Sequence, residues 1–226
     1  MLSSMNQSQW TAVDEYFTDL LVPSDSSLDA ALKASVDAGM PAIHVAPNQG
    51  KLLQLFARMI GAKKILEIGT LGGYSTIWMA RALQAGGRLV TLEFDETHAA
   101  VARSNIARAG LADKVDVRTG RALETLPKLA AEGVGPFDLI FIDADKVSTS
   151  EYFSWALKLA RIGSLIVVDN VVREGAVIDS ASKDASVQGV RRFNMALSTE
   201  RRVSATAFQT VGSKGYDGLA IALVIA

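Results

Sequence analysis

The 226-residue chain contains no cysteine, which excludes disulfides, thiolate metal sites and cysteine nucleophiles together. Histidine is nearly as scarce, His44 and His98 being the only two. His98 falls on a helical pattern and reads as solvated, His44 precedes the first strand-like run, and neither is assigned a catalytic role. Charge of one sign is missing too. Lys+Arg 23 against Asp+Glu 24 leave a net charge of -1, without the basic surface that a nucleic-acid partner needs. No apolar run approaches the roughly 18 residues required to cross a bilayer, and residues 1–10 are polar rather than laid out as a signal peptide. No repeat is visible, and no linker rich in Gly, Ser or Pro divides the chain. The expectation is one cytoplasmic domain over residues 1–226, with no nucleic-acid or membrane partner. At 49% hydrophobic and 21% charged residues, it can bury a substantial core.

Short apolar runs alternate with amphipathic stretches, the pattern of a parallel sheet covered on both faces. Strands are expected at residues 64–68, 88–93, 115–119, 139–143 and 164–169. The helices between them begin near Tyr74 (running to Leu83), Glu96, Arg121 and Thr149, with Asp95 a cap for the second and Gly110 its stop. A polar loop follows at 173–186, then a helix at 187–197 and two strand-like runs, 203–210 and 219–225. The cluster Gly212-Ser213-Lys214-Gly215 between those runs reads as a hairpin connection. Residues 1–40 carry two helices interrupted by Pro23-Ser24-Asp25 and form a helical cap on a core of residues 41–226. The fold class expected is α/β, a doubly wound, Rossmann-like sheet, mostly parallel with an antiparallel final strand.

The most informative stretch is Lys64-Ile65-Leu66-Glu67-Ile68-Gly69-Thr70-Leu71-Gly72-Gly73-Tyr74-Ser75. A strand runs into a glycine turn and a helix starts at once, so backbone can approach a ligand closely and free N–H groups face it. Ligands in such sheets sit beyond the carboxyl ends of the strands. A dinucleotide fingerprint, Gly-x-Gly-x-x-Gly, fails here, because its second and third glycine positions hold Leu71 and Tyr74. Glu93 ends the second strand, where a carboxylate can accept hydrogen bonds from both hydroxyls of a ribose. The plainer role for it is an acid favourable to the dipole of the next helix.

Asp143 closes the fourth strand in Asp143-Ala144-Asp145-Lys146, and Asp169-Asn170 close the fifth. Singly, each is a common turn former. On neighbouring strands they converge at one edge and make an oxygen-only set suited to Mg²⁺, Mn²⁺ or Ca²⁺ rather than zinc.

The glycine turn resembles the first motif of S-adenosylmethionine-dependent methyltransferases. Together with Glu93, Asp143-Ala144-Asp145-Lys146, Asp169-Asn170 and Asp217-Gly218-Leu219-Ala220-Ile221, it resembles the cation-dependent O-methyltransferase family, which includes catechol and caffeoyl-coenzyme A O-methyltransferases. The likeness covers residues 40–226. It implies an S-adenosylmethionine- and divalent-metal-dependent O-methyltransferase acting on a phenolic small molecule with two adjacent hydroxyls, and a homodimer. It implies Asp143, Asp169 and Asn170 as metal ligands, Mg²⁺ or else Mn²⁺ or Ca²⁺ as the ion, and Lys146 as catalytic base. The cofactor would be held by Glu67, Gly69, Thr70, Ser75, Glu93, Ala122 and Asp143, and by Val45, which precedes the family's Gln-Gly pair at Gln49-Gly50. The 173–186 loop and the N-terminal helices depart from the family pattern, and acceptor specificity would be set there.

Three rival readings stay open on the residues alone: a metal-independent small-molecule methyltransferase, a nicotinamide oxidoreductase, and a nucleotide-binding scaffold. Trp78, Met79 and Trp155 read as packing residues, although Trp155 or Tyr152 could border a planar acceptor. Lys183, Arg191 and Arg192 read as a solvated face, or as contacts to an acidic tail on the substrate. Trp10, Tyr16, Phe17, Leu20 and Leu21 make the first helix more apolar than a peripheral cap needs.

Overall fold

A computed structural model describes residues 2–226. Seven strands form one sheet in the order β3-β2-β1-β4-β5-β7-β6. They are β1 (Lys64–Ile68), β2 (Arg88–Glu93), β3 (Val115–Thr119), β4 (Phe137–Ile142), β5 (Ala160–Asp169), β6 (Val203–Gly212) and β7 (Gly215–Val224). β1 to β5 run parallel, while β7 pairs antiparallel to both β5 and β6. The expected fold class is the one observed. β1 and β4 are neighbours although two strands separate them in sequence, so the winding reverses at their carboxyl ends, and the reversal opens a crevice there.

Successive strand residues point to opposite faces, and the core divides accordingly. Ile65, Leu89, Leu139, Phe141 and Val167 join Leu28, Leu53, Ile77 and Trp78 on one face. Leu66, Ile68, Val90, Ile140 and Ile166 join Leu129, Phe153 and Phe193 on the other. Helices α4 (Tyr74–Ala80), α5 (Glu96–Arg108), α6 (Ala122–Ala131), α7 (Thr149–Leu159) and α8 (Ala185–Thr199) supply the crossovers, and α1 (Leu2–Leu21) and α2 (Ser26–Asp37) precede them. Asp25 and Asp95 cap α2 and α5 by accepting backbone N–H groups, which offsets the unmade bonds of a helix start.

Several boundaries differ from the sequence expectation. β4 stops at Ile142, leaving Asp143 in the loop beyond it. β5 begins at Ala160, and α4 ends at Ala80 instead of Leu83. An unexpected helix, α3 (Pro47–Met59), lies between the cap and β1. It opens on Pro47, which suits a first helical position, where no N–H is required. Gly50 is needed inside it, since a Cβ there would meet the Trp78 ring at 2.4 Å.

Candidate active site

Gly69 has φ +99, and a Cβ on it would lie 2.0 Å from the Asp143 carbonyl oxygen. Only glycine lets the turn after β1 press against the end of β4. Glu93 then ties the turn down. Its Oε2 accepts the Thr70 and Leu71 N–H groups at 3.2 and 2.7 Å, and its Oε1 accepts that of Asp95 at 3.0 Å. A carboxylate offers about four acceptor positions, so roughly one stays open to the cavity. A grip on both ribose hydroxyls would therefore require the turn to release an N–H group.

Glu67 lies beneath the turn and is fully buried. Ser75 and Thr76 of α4 and Thr91 of β2 all donate to its carboxylate. Burial pushes this acid up to about 7, against the three hydroxyls that favour its charged form and with the help of the Asp143 charge. Glu67 does not touch the cavity; it positions Ser75, which does.

The acidic end is built by the loops after β4 and β5, with Gln49 of α3 and Asp217 of β7 beside them. Lys146 Nζ donates to Asp143 Oδ1 at 2.8 Å. Asp145 accepts the Tyr152 hydroxyl and the Ser148 N–H, fixing the loop after β4. Burial raises the Tyr152 hydroxyl's proton affinity further than Asp145 alone would. Asp169, at 8% exposure, takes a hydrogen bond from the Gln49 side chain at 2.6 Å and one from the Asn170 N–H at 2.7 Å. Burial and the Asp143 charge push Asp169 up to about 7, while Lys146 and Gln49 oppose them. Asn170 adopts left-handed backbone, φ +59, as do Arg173 and Glu174 at +56 and +54. Asp217 of β7 clasps this loop: its Oδ1 accepts the Val172 and Arg173 N–H groups at 2.9 and 3.0 Å.

Both ends open on one cavity of about 850 Å³, ample for a nucleoside cofactor and a small acceptor. Val45, Gly69, Thr70, Ser75, Glu93, Ala122, Asp143, Lys146 and Asn170 line it, whereas Glu67 and Asp169 stand behind its wall. Among the described residues, no cluster of three or more His, Cys, Asp or Glu side chains is placed to hold a metal. Any ion here would rest on two carboxylates and an amide.

Residues 22–223 match the family described as O-methyltransferase. The chain belongs to that family. It is 58% identical to a catechol O-methyltransferase of Niastella koreensis, over 97% of this chain and 100% of the relative. An O-methyltransferase from Bacillus cereus, solved in complex with S-adenosylhomocysteine, superposes with TM-score 0.95 at 59% identity, covering 96% of this chain and 99% of that one. The O-methyltransferase TomG from Streptomyces achromogenes, involved in tomaymycin synthesis and solved with S-adenosylmethionine, gives TM-score 0.95 at 52% identity, covering 97% and 99%. The chain is an S-adenosylmethionine-dependent O-methyltransferase, which sets aside the oxidoreductase and scaffold readings.

The methyltransferase's cavity also holds residues that the sequence reading missed. His98 is on the wall, its Nδ1 3.7 Å from Glu93 Oε1 and its side chain 24% exposed, rather than solvated. The first turn of α5 follows β2 so closely that its side chains face the strand end. His44 also lines the cavity, packed beside the Tyr74 ring. Arg191 and Arg192 are not a free face, because they donate to the Val177 and Val147 carbonyls and bind loops to α8. Arg173, read only as the edge of a loop, reaches the cavity. Trp78 and Met79 are core residues as expected, while Tyr152 borders the cavity.

Proposed function

We propose that this methyltransferase methylates one hydroxyl of a vicinal aromatic diol, a catechol- or caffeoyl-type small molecule, with a divalent cation held by Asp143, Asp169 and Asn170. One observation carries the reading: Asp143 with Lys146, and Asp169 with Asn170, lie at the carboxyl ends of adjacent parallel strands or in the loops just beyond them, beside the glycine turn. The name of the Niastella relative supports the acceptor class.

The residues present fit a hard cation. Asp143, Asp169 and the buried Glu67 bring three carboxyl groups to this corner, against the one ammonium of Lys146. Carboxylate and amide oxygens are the donors that Mg²⁺ and Mn²⁺ accept. Such an ion, when bound, stabilises the oxyanion form of a coordinated hydroxyl. The chain's own part is alignment and proton transfer. The glycine turn, Ser75 and Glu93 orient the cofactor so that its methyl carbon faces the acceptor oxygen. In its neutral amine form Lys146 Nζ takes the hydroxyl proton, and Asp143, 2.8 Å away, stabilises the ammonium so formed. The oxygen forms a bond to the methyl carbon as the carbon–sulfur bond breaks, which leaves the neutral thioether. Alignment supplies much of the remaining acceleration.

The competing reading, a metal-independent small-molecule methyltransferase, has one observation in its favour: both acids already have protein partners, Lys146 and Gln49. Methyl transfer to a panel of diphenols, with chelator and then with Mg²⁺ or Mn²⁺ restored, separates the two. Loss and recovery are expected; full activity in excess chelator overturns the cation.

A homodimer is proposed as well. Tyr16, Phe17, Leu20 and Leu21 of α1 are 46–64% exposed, an apolar strip that a second copy would cover. Light scattering at micromolar concentration should give twice the 24.0 kDa chain mass, and the single-chain mass refutes the dimer.

A further inference from the structure

Arg173 stands three residues past Asn170 on the cavity wall, in backbone that arginine rarely adopts. Left-handed φ at Arg173 and Glu174 is strained for residues that carry a Cβ and persists only where the surroundings enforce it. Here Asp217 enforces it through two backbone N–H groups, and Gly175 closes the turn on the Val172 carbonyl.

The guanidinium gains little in return. Its Nη1 lies 3.6 Å from Asp217 Oδ2, beyond direct hydrogen bonding. Its Nε is buried with no partner, one of two such side-chain atoms among the described residues. Buried donors are nearly always paired, and each exception calls for an explanation. Of the other cations on this wall, Lys146 is bonded to Asp143 and Arg121 lies over the Phe94 ring. Arg173 has only the 3.6 Å ion pair to Asp217 and makes no hydrogen bond through its fork of donors, and such a fork matches a carboxylate.

We infer that Arg173 selects the acceptor, favouring vicinal diphenols that carry a carboxylate on the ring or on a short side chain. The inference rests on the vicinal-diol reading above and adds a charge to it. No chemical step changes, because the carboxylate is bound and does not react. Asp217 holds the backbone of Arg173 at the cavity wall, where its fork of donors can meet the acceptor.

The test uses the full chain with Mg²⁺, saturating S-adenosylmethionine and two acceptors that differ in one group, 3,4-dihydroxybenzoate and 3,4-dihydroxybenzamide. Wild type should prefer the acid. Arg173→Met should lower kcat/KM for the acid by about 10- to 100-fold, the scale of a charged hydrogen bond, chiefly through KM. Turnover of the amide should change by less than about threefold, well below that scale. Arg173→Lys should retain part of the preference, and the KM for S-adenosylmethionine should not move. Equal losses for acid and amide would show that Arg173 only braces the loop, and overturn the inference. So would a selective rise in the cofactor's KM, because the cofactor's own carboxylate would then be the partner. Absence of preference in the wild type also overturns it, whether or not the variants fold. If wild type methylates the amide, the vicinal-diol reading stands whatever becomes of Arg173; if it methylates neither, both fall.

Discussion

The two ends of the cavity are finished to different degrees. At the glycine turn, Glu67 is satisfied by three hydroxyls and Glu93 by three backbone N–H groups. This end holds its shape by its own hydrogen bonds. At the other end, the Asp143 charge raises the cost of ionising Asp169, Asn170 and Arg173 sit in left-handed backbone, and a guanidinium nitrogen has no hydrogen-bond partner. Substitutions at the two ends should therefore fail differently.

The largest effect is expected at Lys146. Lys146→Ala should lower kcat by about 10²- to 10⁴-fold, the range for lost general-base catalysis, with S-adenosylhomocysteine affinity retained by calorimetry. Rate should recover as pH rises toward the phenol's own pKa near 10, and a flat pH profile of the variant would remove the base role. Next comes Asp169→Ala, expected to cost about 100-fold in kcat/KM at ordinary metal concentrations, the several kcal/mol that a Lewis-acid ion supplies. Cofactor affinity should stay close to wild type. A variant that loses the cofactor as well would erase the contrast between the two ends.

Glu93→Ala tests the finished end. It should weaken cofactor binding by roughly 1.5–3 kcal/mol, because a charged acceptor is removed and the Thr70–Leu71 turn loses its tie. Unchanged calorimetric affinity would leave Glu93 with only its backbone bonds.

The smallest effect is a stability difference at Glu67. Its folded pKa of about 7 lies above the ordinary 4.5, so between those values the folded state holds the extra proton. That contribution is complete below pH 4.5 and is lost as pH rises through 7. Glu67→Gln has no proton to lose. Relative to wild type, its denaturation free energy should improve by roughly 1–3 kcal/mol between pH 5 and 8. A difference independent of pH would mean that the three hydroxyls fully compensate the buried charge.

Local chemistry made much of this legible. β1, β2 and β3 occupy the expected residues, since each is an apolar or alternating run with its start or end punctuated by glycine or a helix cap. The strand-end acids could be named for the same reason: parallel strands deliver their last residues to one edge. What escaped depends on contacts distant in sequence. α3 hides behind Pro47 and Gly50, which only the Trp78 ring explains. Without α3, nothing points Gln49 at Asp169, 120 residues away. Arg173 could not be read because its position depends on Asp217 of β7, a pairing across 44 residues.

The Asp217 clasp also has a consequence in time. Chains are made from the amino end, and domains fold as units. The groups that make the Glu67 and Glu93 bonds, on β1, α4 and β2, have all been synthesised by Asp95. The Asn170–Gly175 turn must wait for β7, because both of its backbone anchors are on Asp217. The acceptor end of the cavity is therefore completed only when the last strand of the sheet has been made and paired with β5.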